Sequence, residues 1–207
     1  MNIIQDKLPV AQYYPVAEKK NQIVLHHTAG GPSAKNTIAW WRSNKERVAT
    51  AFVIDRNGTI YQTMDDQHWA HHLGTKLRNN VQLNKHSIGI ELCSYGSLKY
   101  VNGQYLTAYN TIVSSKEIIT YDQPFRGSKY FENYTPAQLA SLRELLELLL
   151  KKHNINFTYD PTMWNICEKA LNGTEGLYTH VSYRKDKSDC HPQPELISLL
   201  QDLSSVK

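Results

Sequence analysis

Ile23-Val24-Leu25-His26-His27-Thr28-Ala29-Gly30-Gly31-Pro32 begins with three apolar residues and ends on a run of chain breakers. The pattern predicts a short buried strand over Ile23–Leu25, stopped by a loop at His26–Pro32. Directly after it Ser33 is placed to cap a helix running to about Asn44, with Ile38, Trp40 and Trp41 on its apolar side. A buried strand that passes through a Gly-rich loop into a helix is a building unit of α/β proteins.

Working outward, residues 1–21 are polar, contain Pro9 and Pro15, and read as an extended arm. Downstream, Ala51-Phe-Val-Ile-Asp-Arg-Asn57-Gly58-Thr-Ile-Tyr-Gln62 places two strands about an Asn-Gly turn, a strong hairpin signal. Ser87-Ile-Gly-Ile-Glu-Leu92 alternates, putting Ile88, Ile90 and Leu92 on one face and Glu91 on the other. Residues 95–133 are polar and Tyr-rich, with a further hairpin at Asn102-Gly103. Thr135-Pro136 opens a helix with a hydroxyl at the N-cap and Pro at the first turn. Leu139, Leu142, Leu145, Leu146, Leu149 and Leu150 then form one apolar stripe through Lys152. Residues 156–178 read as irregular around Trp164, and Pro194 to about Leu203 as a short final helix. No internal repeat or flexible linker interrupts the chain. It is expected to be a single α/β domain over 1–207, with 95–133 and 156–178 as inserts.

The 207 residues are 41% hydrophobic and 20% charged, which excludes disordered and fibrous classes. No apolar run approaches the roughly 20 residues of a membrane span, and the first residues lack the features of a secretory signal. The net charge of +4 comes from scattered Lys and Arg, so nucleic acid is not an expected partner, whereas an anionic polymer is compatible. Cys93, Cys167 and Cys190 are widely spaced and odd in number, which argues against a disulfide framework and for two buried thiols and one in a loop.

Nine histidines and thirteen tyrosines stand out. His26 ends one apolar segment and His180 another, Leu177-Tyr-Thr179. Lys187-Ser188-Asp189 follows shortly after His180. Two imidazoles and a carboxylate are a three-ligand zinc set with an open position for water. Spacing alone leaves two readings open: hydrogen-bonded surface histidines, or such a metal centre.

Five strings occur in one order: Ile23-Val-Leu-His-His-Thr-Ala29, Phe52 to Gln62, Trp69-Ala-His-His-Leu-Gly74, Ser87 to Leu92, and His180 with Lys187-Ser-Asp189. This order resembles the zinc-dependent N-acetylmuramoyl-L-alanine amidases of type 2, relatives of the peptidoglycan recognition proteins, over residues 20–92 and 134–203. The resemblance implies a central mixed β-sheet flanked by helices, with Zn²⁺ in a surface groove that holds peptidoglycan or a muropeptide. It implies metal ligands at His26, His180 and Asp189, with Cys190 as the alternative one residue later. His27 and His72 become candidates for lining the groove. Glu91 matches a glutamate that moves protons, and Lys187 a lysine that stabilises the oxyanion.

One position departs from the pattern. Several members of the family carry a catalytic tyrosine where this chain has Thr50, so either Glu91 acts alone or another tyrosine or histidine, such as His72, reaches in. The resemblance also raises a non-catalytic alternative, a recognition domain that grips muropeptide. Such members lose zinc ligands, and three competent ones here favour the enzyme. The chain is expected to act as a monomer on the cell wall, as a phage- or prophage-type lysin. Cytoplasmic muropeptide recycling is the second setting, which the long inserts disfavour.

Overall fold

The computed structural model describes residues 2–205. In chain order the strands are β1 (Ile3–Gln5), β2 (Gln22–His27), β3 (Phe52–Ile54), β4 (Ile60–Gln62), β5 (Ser87–Leu92), β6 (Ser97–Val101), β7 (Gln104–Leu106), β8 (Ile112–Val113), β9 (Ile118–Phe125), β10 (Ser128–Glu132) and β11 (Gly176–Thr179). The α-helices are α1 (Ala34–Ser43), α2 (Asn80–His86), α3 (Pro136–His153), α4 (Glu168–Leu171) and α5 (Pro194–Ser205).

Six strands form a mixed central sheet in the order β1-β4-β3-β5-β2-β11. Only the β3–β4 hairpin is antiparallel; β1–β4, β3–β5, β5–β2 and β2–β11 run parallel. Parallel strands are covered on both faces, and all six residues of β2 are buried. Alternation sorts the two sides. Ile23, Leu25, Ile88, Ile90 and Leu92 join one core with the leucines of α3 and α5, while Val24 packs with Leu73, Leu83, Ala170, Tyr178 and Tyr183 on the other side. α3 begins as its sequence chemistry requires: Gln138 N–H donates to the Thr135 hydroxyl, the Gln138 side chain accepts from Thr135 N–H, and Pro136 occupies the first turn.

Several expectations need correction. β2 continues two residues past Leu25, so His26 and His27 lie in a strand, where the ladder to β5 holds their backbone. Trp40 points outward at 58% exposure, leaving Ile38 and Trp41 as the buried side of α1. The amino-terminal arm contributes β1, which pairs with β4, and Tyr14 bridges to Trp69. α2, in a polar stretch with no helical stripe, is an unexpected helix. Residues 156–178 contain a short 3₁₀ turn, α4 and most of β11. All three cysteines are free and buried. Residues 97–132 build a second, five-stranded antiparallel sheet, β8-β7-β6-β10-β9, with the Asn102-Gly103 turn in the left-handed region at both residues. None of the described helices is long and apolar enough to cross a membrane.

Candidate metal centre and groove

Three neighbouring strands converge on one point of the central sheet. His26 lies near the end of β2, and Glu91 of β5 is its register partner in a parallel pair, so both side chains leave the same face. His180 follows β11 directly, on the other side of β2. The loop after it returns through a hydrogen bond from Val181 N–H to the Asp189 carbonyl, 3.1 Å, which brings the Asp189 carboxylate over the two imidazoles.

Asp189 Oδ2 stands 2.8 Å from His180 Nδ1 and 3.2 Å from His26 Nδ1. One donor atom from each of these three buried residues lies within 4.8 Å of the others. His180 Nε2–H donates to the Leu73 carbonyl at 2.9 Å. A carbonyl can only accept, so the ring carries a proton on Nε2 and turns Nδ1 toward the carboxylate oxygen. Two imidazoles and a carboxylate, with both Nδ1 atoms turned to one carboxylate oxygen, are a donor set that suits zinc. The residues present therefore fit the metal.

Burial, and next the neighbouring His180, pushes the His26 pKa down to about 4, which keeps the ring neutral and able to ligate. Burial works against the Asp189 carboxylate, yet the neighbouring His180 holds its pKa well below the usual range. Cys190 is turned away into the main core, where burial raises its thiol well above the ordinary value. Asp189, and not Cys190, meets the histidines.

A cavity of about 190 Å³ opens over these groups, lined among others by Thr50, His72, Glu91 and Lys187. Glu91 Oε2 is buried without a hydrogen-bond partner, and burial, then Asp189, raises its pKa well above the usual carboxylate value. No tyrosine lines this cavity among the described residues. The Thr50 hydroxyl donates to the Phe52 carbonyl at 2.9 Å and cannot stand in for a phenol. A second depression of about 470 Å³ shares Thr28, Trp41, Val48 and Glu91 with the first and is walled by Trp40 and the 71%-exposed Tyr109.

The two expected groove residues, His27 and His72, both line the first cavity, and each ring is held by contacts within the protein. The His27 ring leaves β2 on the main-core side, with Nδ1 2.9 Å from the Tyr134 hydroxyl and Nε2 against Gly96, where any Cβ would collide. His72 lies beside His26, but both its ring nitrogens are engaged within the protein: Nδ1 is 3.0 Å from His26 Nε2 and Nε2 is 2.8 Å from Ser87 Oγ. No nitrogen of His72 is left for a substrate. Ser87 and the Leu73 carbonyl were not singled out from sequence. The one signal was Gly89, a glycine inside a strand, which often marks a close approach: a Cβ there would lie 2.7 Å from Thr50 Cγ2 and 3.1 Å from His72 Nδ1.

A family model described as N-acetylmuramoyl-L-alanine amidase matches residues 17–193 in one span, running through the second sheet. Among curated proteins, none matches the chain. Solved structures do. The catalytic domain of XlyA is 19% identical over 99% of each chain, with a TM-score of 0.59. A mutant endolysin from Bacillus subtilis is 18% identical over 99% of each chain, TM-score 0.58. The N-acetylmuramoyl-L-alanine amidase LysC from Clostridium intestinale URNW is 18% identical over 100% of this chain and 99% of its own, TM-score 0.54. At these identities the likeness is one of fold.

Proposed function

Because this chain belongs to the N-acetylmuramoyl-L-alanine amidase family, we propose that it is a zinc-dependent hydrolase of peptidoglycan. The bond cut is the amide joining the lactyl group of N-acetylmuramic acid to L-alanine. The observation that carries this reading is the meeting of His26, His180 and Asp189 beside the unpartnered carboxyl of Glu91. Zinc in a three-ligand site supplies Lewis acidity, which polarises a carbonyl and makes a water acidic near neutral pH.

The chain's own groups do the rest. His26, His180 and Asp189 hold the metal. Glu91, which lines the cavity and has a raised pKa, takes the proton of the attacking water and hands it to the departing amine of L-alanine. A carboxyl whose pKa is moved toward neutrality is suited to both transfers. Lys187 lines the same cavity and offers a fixed cation to the negative oxygen that develops on the scissile carbonyl. With the Thr50 hydroxyl bonded to the Phe52 carbonyl and no tyrosine in the cavity, Glu91 carries the proton work. Trp40 and Tyr109 offer aromatic faces to a sugar alongside. The endolysin neighbours support a lytic setting on the bacterial cell wall.

Incubation of the zinc-loaded protein with purified peptidoglycan tests this directly. Free L-alanine amino groups should appear while glycan chains keep their length. New reducing sugar ends without new amines would point to a glycosidase and refute the bond assignment. Retention on peptidoglycan with no released amine would mean a recognition domain.

A further inference from the structure

The hydrogen bonds behind the metal donors have a direction that can be followed to its source. Ser87 Oγ–H donates to the Leu83 carbonyl at 2.7 Å, one turn back in α2. A serine has one hydroxyl proton, so at its 2.8 Å contact with His72 it must accept, and His72 Nε2 carries the hydrogen. Among the described residues no carboxylate bonds to His72, and a neutral imidazole has only one N–H. Its Nδ1 is therefore bare, and His26 Nε2–H donates to it at 3.0 Å. That leaves His26 Nδ1 bare, facing Asp189. His180 reaches the same state through the Leu73 carbonyl, the residue after His72.

One side chain fixes that pair of residues. Asn84, buried in α2, accepts from both His72 N–H and Leu73 N–H through Oδ1, at 2.8 and 3.1 Å. Its amide in turn donates to the Asn80 carbonyl at 2.7 Å. One metal-side histidine lies in β2 and the other follows β11, yet their far nitrogens end on adjacent residues of one segment tied to one short helix.

We propose that the His72-Leu73 segment, held by Asn84 and Ser87 of the α2–β5 junction, is a positioning frame that sets the Nε2–H tautomer of both His26 and His180, so that both present Nδ1 to the metal. The proposal rests on the zinc reading above, but it concerns metal affinity and proton position, which are measured without substrate. Groups behind a ligating histidine fix its ring and its basicity, and removing them typically weakens binding about 10–100-fold. Gly89 belongs to the same device, because its missing side chain leaves the space in which His72 stands against Thr50.

Three variants separate a frame from mere packing. His72→Asn keeps an acceptor near the position of Nδ1; His72→Phe fills the space without one; Ser87→Ala removes the group that directs the His72 proton. Zinc affinity, measured by competition with a chelator, should fall about 10–100-fold in His72→Phe and about tenfold in Ser87→Ala. In His72→Asn it should stay within a few-fold of the parent. Nitrogen-15 imidazole spectra of the metal-free parent should show His26 and His180 protonated at Nε2, and Ser87→Ala should shift His26 toward a mixture. Equal losses in His72→Asn and His72→Phe, or an Nδ1-protonated His26 in the parent, would overturn the proposal. So would a parent that binds no zinc. If His72→Phe does not fold, the asparagine variant and Ser87→Ala decide. A chain that binds zinc as expected but releases no amine from peptidoglycan refutes the hydrolase reading and leaves the frame standing.

Discussion

Replacing Glu91 by Gln keeps the side chain's shape and removes its charge, and the structure gives stability and activity opposite signs. The carboxyl is buried with one oxygen unpartnered, and its pKa is raised well above the usual value, chiefly by burial. An acid whose pKa rises on folding stabilises least when ionised. Its contribution is lost as pH climbs from the unfolded value of about 4.3 through the raised folded value. Each unit of raising is worth about 1.4 kcal/mol, and for a chain of this length each kcal/mol moves Tm by about 2–4 °C. Glu91→Gln should therefore melt higher than the parent at pH 8 in the metal-free state, by about 3–6 °C for every unit of raising. Near pH 4 the two should melt together. The zinc-loaded variant should keep its metal and lose about 10²–10⁴-fold in hydrolysis, together with the rising limb of the parent's pH–rate profile. Thermal scans across pH 4–8 and amine release from peptidoglycan make the measurement. A variant no more stable at pH 8 than the parent, with activity within threefold of it, would refute both the desolvation argument and the proton role.

Gly89→Ala should lose about 1–3 kcal/mol to overpacking, and adding Thr50→Ser, which deletes the methyl 2.7 Å from the new Cβ, should recover part of that in a double-mutant cycle read by denaturant unfolding. Asp189→Ala should abolish zinc binding, whereas Cys190→Ser should keep about one zinc per chain by metal analysis; the reverse would move the third donor to the core-facing thiol. Asp66 is 2% exposed and paired with Lys152 at 2.8 Å and His153 at 3.1 Å. Burial opposes its charge, but His153 and Lys152 hold its pKa below the ordinary value. Its contribution is present above the unfolded pKa of about 3.9 and lost as pH falls through the folded one. Asp66→Asn should thus cost about 1–3 kcal/mol at pH 7, Lys152 being half exposed, and the gap in Tm should narrow steadily as pH falls below about 4.

What could be read from sequence followed the range of the chemistry involved. The Asn57-Gly58 hairpin, the strand Ser87–Leu92 and the Thr135 cap depend on neighbours a few residues away, and each lies where local rules put it. β1 has three residues and exists only against β4. α2 has only Val81 and Leu83 as large apolar residues, and the bonds of Asn84 across to residues 72 and 73 help hold it in place. The second sheet announced itself through one turn alone. His26, His180 and Asp189 were named from the order of motifs, because a metal donor set constrains residue types, and the structure brings the three together. The Leu73 carbonyl and Ser87 hydroxyl were not, because their part depends on where a proton points after folding, which no spacing records.

His26 and Asp189 are 163 positions apart, and β11, which lies beside β2, is the last strand of the central sheet in chain order. At about 5–20 residues per second, roughly 10–30 s separate the emergence of these two side chains during synthesis. Once Leu92 has emerged β2 can pair with β5, yet His26 then faces a place where neither His180 nor Asp189 has arrived. Under the zinc reading proposed above, activity would therefore begin only once translation has passed residue 189. A chain cut short before that point lacks one or both of these late donors and should release no amine from peptidoglycan.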